Sequence, residues 1–176
     1  MDNLEKMRHT LSHVLAAAVK ELYPNAKFGI GPAIDDGFYY DFDIETPFKN
    51  DDLVKIEEEM NKIIEEDISL ERMVVSRKEA LKLMEERGEV YKVELIKDLP
   101  EGETISFYKQ GEFIDLCAGP HLMNTKSVEA FKIMSVAGAY WRGNEKNKML
   151  SRLYATAFSK KAELNDYLEK LEEAKK

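Results

Sequence analysis

The sequence predicts an α+β domain, in which helices pack against an antiparallel sheet. Three observations support this fold class. Apolar residues at helical spacing occupy the start of the chain, alternating strand patterns fill its middle, and a charged amphipathic segment ends it. With 176 residues, 44% of them hydrophobic, the chain is long enough for one domain with a sizeable core.

A helix and a β-hairpin are predicted for the first quarter of the chain. Residues 4–22 carry their apolar side chains at helical spacing, and Pro24 follows the end of this pattern. Residues 27–34 and 38–43 then alternate as strands do. The Asp-Asp-Gly sequence at 35–37 lies between them and is typical of a hairpin turn. We therefore expect one helix followed by two paired strands.

The remaining segments are predicted to complete the sheet and its covering helices. A helix is expected at about 51–66, and another begins at Ser76, where Glu79 completes a capping box, and ends before Gly88. A last, charged helix follows Ser159. The predicted extended segments, of which 128–136 also fits a partly helical interpretation, lie at about 89–96, 104–109, 112–116, 128–136 and 149–158.

Composition and charge restrict the classes of function. The chain has 26 basic and 34 acidic residues, a net charge of −8, which argues against a broad phosphate-binding face. Residues 142–152 are an exception, with four basic side chains and one acidic, so local phosphate contact is compatible with the sequence. One cysteine excludes an internal disulfide and suits a reducing compartment. Without a signal peptide or a membrane-length apolar run, we expect a cytoplasmic protein that does not bind membranes.

The three histidines and the cysteine form two pairs spaced by four residues. His9 and His13 lie in the first predicted helix, where this spacing places both imidazoles on one face, turned away from the core side. On its own this pair fits two solvent-exposed histidines equally well. The second pair, Cys117 and His121, follows a predicted strand and flanks a Gly-Pro turn.

Asp115 makes the second pair more informative. It shares a strand face with Cys117, so a carboxylate, a thiol and the His121 imidazole converge where the strand ends. This set fits a metal-free polar site, a tetrahedral zinc site made with the two helix histidines, or a thiolate nucleophile. A buried structural cysteine beside a turn histidine is the simpler alternative for Cys117 itself.

Five further residues are candidates for the same site or for substrate contacts. Lys92 lies on the polar side of the predicted strand 89–96, where a solvated lysine is the ordinary interpretation. Tyr39 and Tyr40 would line a pocket, although aromatic strand residues more often belong to the core. Trp141 and Arg142 combine a stacking surface with a cation, which suits nucleic acid, but packing explains the aromatic residue as well.

Several motifs occur together and in a family-specific order. They are Arg-His-Thr-Leu-Ser-His at 8–13, Gly-Phe-Tyr-Tyr-Asp at 37–41, Asp-Leu-Cys-Ala-Gly-Pro-His at 115–121, Ala-Gly-Ala-Tyr-Trp-Arg-Gly at 137–143 and Asn-Lys-Met-Leu at 147–150. In these motifs the chain resembles bacterial threonyl-tRNA synthetases, over essentially its whole length. The resemblance is to their second, editing-type domain, which is related to alanyl-tRNA editing domains. One departure is Ala155, where the family usually has glycine.

The resemblance implies hydrolysis of serine mischarged onto threonine tRNA. It implies that Lys92 takes part in hydrolysis and that Asp115 and Tyr40 belong to the pocket. It also implies that the threonyl-type site works without a cofactor, whereas the alanyl relatives bind zinc. The residues expected to line the pocket, which are also the candidate zinc ligands, are His9, His13, Cys117 and His121.

The resemblance also predicts the domain organisation of the chain and its binding partners. Residues 1–158 correspond to the editing domain, and 159–176 to a helix leading toward an absent catalytic core. Since the ATP-binding aminoacylation motifs are missing, we expect no tRNA charging. The expected partners are the 3′ end of tRNA(Thr) carrying serine and the rest of a synthetase chain. A zinc-dependent alanyl-type deacylase and a noncatalytic tRNA-docking module are the alternatives.

Overall fold

The computed structural model describes residues 3–67, 69–116 and 130–174. Within these ranges the protein has five α-helices and two antiparallel sheets, which confirms the predicted α+β class. The elements, in chain order, are α1 (Asn3–Leu22), β1 (Lys27–Phe28), β2 (Ala33–Ile34), β3 (Gly37–Asp43), α2 (Asn50–Glu65), β4 (Leu70–Val75), α3 (Arg77–Glu86), α4 (Val90–Asp98), β5 (Ile105–Gln110), β6 (Phe113–Leu116), β7 (Ala130–Tyr140), β8 (Met149–Phe158) and α5 (Lys161–Ala174).

The larger sheet carries the main core. Its strand order is β1-β3-β8-β7, and β2 pairs with the start of β3. Alternation along β3 places Phe38, Tyr40 and Phe42 on one face, where all three are buried in a cluster with α1 and α2. The long helix α1 is thus held between this sheet and the rest of the fold, and apolar residues such as Leu11 and Leu15 are completely buried.

A second, smaller sheet was not predicted. Its order is β4-β5-β6, and α3 and α4 cover one face with a separate apolar cluster that includes Met84, Ile96 and Phe107. The sequence pattern predicted one sheet and missed β4 altogether. The reason is that β4 is an edge strand whose residues are half-buried or exposed, so its sequence lacks a clear alternation of apolar and polar residues.

The segment around Lys92 is a helix, so the predicted strand 89–96 is wrong. Tyr91, Val93 and Leu95 alternate as in a strand, but Tyr91 and Leu95 are also one helical turn apart. Tertiary contacts decide between the two patterns. The Arg77 guanidinium donates to the carbonyls of Ile96 and Leu99, satisfying acceptors at the end of α4 that a helix leaves open.

Other boundaries agree with the predictions or differ for local reasons. Ser76 accepts a hydrogen bond from the Glu79 amide and begins α3, as predicted. The expected strand 27–34 is two short strands whose pairing with β3 differs in register by one residue, and Pro32, between them, has no amide hydrogen to donate. Ala155 lies within β8, paired with Phe38 and Ile133, so this position accommodates alanine in an ordinary strand.

The C-terminal helix packs against the larger sheet. Leu164 of α5 is buried, and the Tyr167 ring lies 5.2 Å from that of Phe158. The Tyr167 hydroxyl donates to Asp36 in the β2–β3 turn. In the described ranges, no helix is both long and apolar enough to cross a membrane.

Replacement of Gly37 by alanine is expected to destabilise the protein by about 3 kcal/mol, near the upper end for overpacking. A Cβ atom at this position would lie 2.0 Å from the Ala155 carbonyl oxygen, and the paired strand cannot move away. Gly138→Ala is the matched control, because its Cβ would meet only the flexible Met149 side chain. Urea unfolding of both variants tests this, and equal stabilities would contradict it.

Candidate active site

A cavity of about 290 Å³ brings together five of the residues singled out in the sequence. They come from four separate elements: α1, β3, α4 and β6. Gly31 and Pro32 also border the cavity, and a Cβ on Gly31 would collide with the Tyr40 ring. The five residues are His9, His13, Tyr40, Lys92 and Asp115.

Asp115 is the centre of this cluster. Its Oδ2 accepts a hydrogen bond from the Tyr40 hydroxyl at 2.8 Å and lies 2.7 Å from His13 Nδ1. Its Oδ1 lies 2.9 Å from Lys92 Nζ. All four side chains are buried. Burial acts to raise the pKa of Asp115, but Lys92 and His13 outweigh it and hold that pKa well below its usual range. Asp115 is therefore an anion, and His13 Nδ1 is the donor in their contact.

Lys92 holds a buried positive charge at the cavity wall. It is 4% exposed, and its Nζ lies 5.2 Å from the centre of the Tyr40 ring. An ammonium group has three hydrogens, and the contact with Asp115 uses one of them. The remaining donors suit an oxyanion or a water molecule in the cavity.

The two histidines of α1 differ in their surroundings. The sequence predicted that both point away from the core side, but His13 is only 5% exposed. The smaller sheet packs on that face, with the Tyr108 ring stacked 6.3 Å from the imidazole and Asp115 beside it. His9, one turn earlier, is half-buried and lines the same cavity.

Long-range contacts fix α4, the helix that carries Lys92. The buried Glu89 carboxylate at its start accepts a hydrogen bond from the Phe28 amide, and burial raises the pKa of Glu89 despite this contact. The Tyr91 hydroxyl donates to Asp43 at the end of β3. These contacts connect α4 to the larger sheet, so the position of Lys92 depends on both sheets.

Trp141 and Arg142 also hold α4. The indole Nε1 donates to Glu94 at 3.0 Å, and the Arg142 guanidinium pairs with Glu94 and Asp98. Trp141 is buried and contacts the Tyr91 ring edge-on. Neither residue lines the cavity, and both contact side chains of α4. A role in binding nucleic acid stays a prediction.

Tyr39 also lies outside the cavity. It is on the opposite face of β3 from Tyr40, with the Arg152 guanidinium 3.9 Å from its ring centre. Arg152 itself forms a two-point contact with Asp41, and Lys148 pairs with Asp43. Much of the positive charge in the 142–152 segment is thus neutralised within the protein.

Cys117 and His121 lie outside the described residues. Their predicted place beside the two helix histidines therefore stays a prediction. The described ranges contain no group of three or more side chains arranged to hold a metal ion. His13 and His9 alone are fewer than the three protein ligands that a catalytic zinc site uses. Zinc-binding histidines are often oriented by a carboxylate that accepts a hydrogen bond from their other ring nitrogen. Asp115 makes such a contact with His13 Nδ1, so the types of side chain present fit zinc.

Sequence reasoning missed the groups that position the site. Glu89, Glu94 and Asp43 fix α4, yet none belongs to a motif with recognisable spacing. Each acts on a partner 47 or more residues away in sequence. Identification of Val90–Asp98 as a helix would have drawn attention to Glu94, because helical geometry places its side chain on the opposite face from the buried Lys92.

Comparisons with known proteins agree with the motifs. The family described as "Threonyl and Alanyl tRNA synthetase second additional domain" matches residues 105–154. The chain is also similar to three threonine–tRNA ligases. It is 70% identical to that of Acetivibrio thermocellus over 96% of its length. The identity is 65% over 97% for Clostridium acetobutylicum and 64% over 96% for Caldanaerobacter subterraneus. The chain spans only 26–27% of the length of these relatives. It therefore belongs to the threonyl-tRNA synthetase family, as the region that carries the second additional domain.

Proposed function

We propose that this region hydrolyses the ester of serine mischarged onto tRNA(Thr), as the editing part of a threonyl-tRNA synthetase. The observation that carries the proposal is the single cavity in which His9, His13 and Lys92 meet around the buried Asp115. Family membership supports a role connected with tRNA. In this proposal the binding partners are the 3′ end of tRNA(Thr) carrying serine and the rest of a synthetase chain.

Chemical discrimination explains why such a site is needed. Serine lacks one methyl group of threonine, and a pocket gains only about 1–3 kcal/mol of selectivity from a methyl group. Ester hydrolysis in a second site removes the wrong product after it has formed. That reaction needs a positioned water molecule, a base and a group that stabilises the developing negative charge.

The described residues supply these functions in the proposed reaction. His9, together with a ribose hydroxyl of the terminal adenosine, orients or deprotonates the water that attacks the ester carbonyl. Lys92 stabilises the charge that develops on the carbonyl oxygen. Asp115 keeps Lys92 and His13 in place, and it forms the pocket wall with Tyr40. Cys117 and His121 would complete the pocket that selects serine.

Release of amino acid from Ser-tRNA(Thr) and Thr-tRNA(Thr) by the purified chain tests this function. We expect hydrolysis of the serine ester in preference to the threonine ester. His9→Ala should lower the rate by about 100-fold or more, the usual contribution of a general base. Lys92→Met should lower it by about 100-fold, as for loss of one oxyanion donor. Lys132→Ala, an exposed lysine on β7, is the control and should retain full activity.

The same samples distinguish the two alternatives. Stoichiometric zinc, with activity lost on chelation and restored by zinc, would identify an alanyl-type metal-dependent deacylase. Binding of tRNA without any release of amino acid would identify a noncatalytic docking module. Activity retained in both the His9 and the Lys92 variants would refute the assigned roles.

A further inference from the structure

A second cavity, of about 680 Å³, lies beyond the Lys92–Asp115 ion pair, toward the C-terminal end of α1. The ion pair borders both cavities, but the histidines do not line this one. Its volume is in the range of small-molecule binding sites. The proposed hydrolysis makes no use of it, so its lining needs a separate explanation.

Gln110 is the unusual residue in this lining. It is 4% exposed, yet neither its amide nitrogen nor its amide oxygen has a hydrogen-bond partner in the described part of the chain. Buried amides are normally paired, because leaving one unpaired costs free energy. A primary amide presents a donor beside an acceptor. A group that offers the complementary acceptor and donor would satisfy both atoms at once.

The walls and charges of the cavity narrow the class of ligand. Phe28, Ile63, Met84 and Phe113 supply apolar and aromatic surface, which suits a flat molecule. Among the lining residues six are acidic and three are basic. One of the three bases, Lys92, is already paired with Asp115. The remaining excess of negative charge disfavours phosphates and other anions.

We propose that this cavity binds a small, planar, phosphate-free ligand through the Gln110 amide. The ligand presents a donor next to an acceptor, a pattern shared by nucleobase edges and carboxamides. Glutamine and asparagine recognise adenine in this two-point manner. The site is distinct from the proposed ester-hydrolysing cavity, so the proposal stands whether or not the chain hydrolyses Ser-tRNA.

The test uses adenosine, nicotinamide and adenosine monophosphate as probes with the 176-residue chain. Two-dimensional amide NMR should show adenosine or nicotinamide shifting the Gln110 side-chain signals and the backbone signals of Gly111 and Phe113. A response to adenosine alone identifies a nucleobase site, whereas a response to nicotinamide identifies a carboxamide site. The monophosphate should bind more weakly than adenosine because of the acidic lining.

Gln110→Leu is the decisive variant. It removes both polar atoms while filling the same buried space, so its Tm should be at least that of the parent chain. Calorimetric titration should show binding weakened about tenfold or more, as for loss of paired hydrogen bonds. Lys109→Leu, on the exposed face of the same strand, should bind as the parent does. Equal binding to Gln110→Leu, shifts confined to the surroundings of His9, or no response to adenosine and nicotinamide at millimolar concentration would overturn the proposal.

Discussion

Replacement of Asp115 by leucine is expected to lower the free energy of unfolding by about 3–5 kcal/mol, the usual cost of breaking a buried ion pair. The substitution leaves the Lys92 ammonium buried without its counter-ion. It also removes the acceptor of the His13 Nδ1 and Tyr40 hydroxyl contacts. Asp115→Asn is the comparison variant, because it keeps the size and one acceptor oxygen but loses the charge and replaces the other oxygen with an NH2 donor. Urea unfolding at neutral pH measures both effects.

The pH dependence of this effect has a defined sign. The folded-state pKa of Asp115 lies below its ordinary value of 3.8, so its charge stabilises the folded state above that value. The stability advantage of the parent chain over Asp115→Asn should be complete above about pH 5 and shrink as the pH falls below about 4. A leucine variant as stable as the parent, or an advantage that grows in acid, would contradict the buried ion pair.

Replacement of Trp141 by alanine is expected to lower kcat for Ser-tRNA hydrolysis by about tenfold or more, because small displacements of a catalytic group are costly. The indole anchors Glu94, and with it the helix that carries Lys92. The KM for tRNA should change little, since Trp141 lies outside the cavity and is buried. Single-turnover and steady-state measurements separate these two quantities.

Two further variants show whether the effect comes from positioning. Trp141→Phe keeps the ring contact with Tyr91 but loses the donor to Glu94, so its kcat should lie between those of the parent and the alanine variant. Tyr140→Ala changes the exposed neighbour and should leave both constants unchanged. The alanine variant should also lose about 3–5 kcal/mol of stability, so assays belong at a temperature where it is folded. A rise in KM without a change in kcat would instead indicate a direct contact with tRNA.

Local pattern predicted most elements because these follow short-range rules. The apolar spacing of residues 4–22 predicted α1, the turn at 35–37 predicted the hairpin, and Ser76 predicted the start of α3. The segment of α4 was assigned wrongly because its apolar residues fit both a strand and a helix. The contacts that favour the helix, from Arg77 and Trp141, come from distant parts of the chain.

The sequence predicted several residues of the candidate site, and only partly their geometry. Motifs indicated His9, His13, Lys92, Tyr40 and Asp115, and the structure places all five around one cavity. The same reasoning treated Trp141 and Arg142 as candidates for contact with nucleic acid, whereas the structure shows both bound to α4. An indole and a guanidinium serve either purpose, and the residue types alone do not distinguish them.

The amino-acid sequence alone thus determined the type of most helices and strands, the candidate residues of the site, and the family. The tertiary structure decided that Asp115 contacts side chains on three other elements: His13, Tyr40 and Lys92. It also decided that Lys92 is buried and that Gln110 lines a separate cavity. The physical reason is distance along the chain. Helix and strand patterns depend on neighbours a few residues away, whereas burial and ion pairing depend on which distant segments pack together.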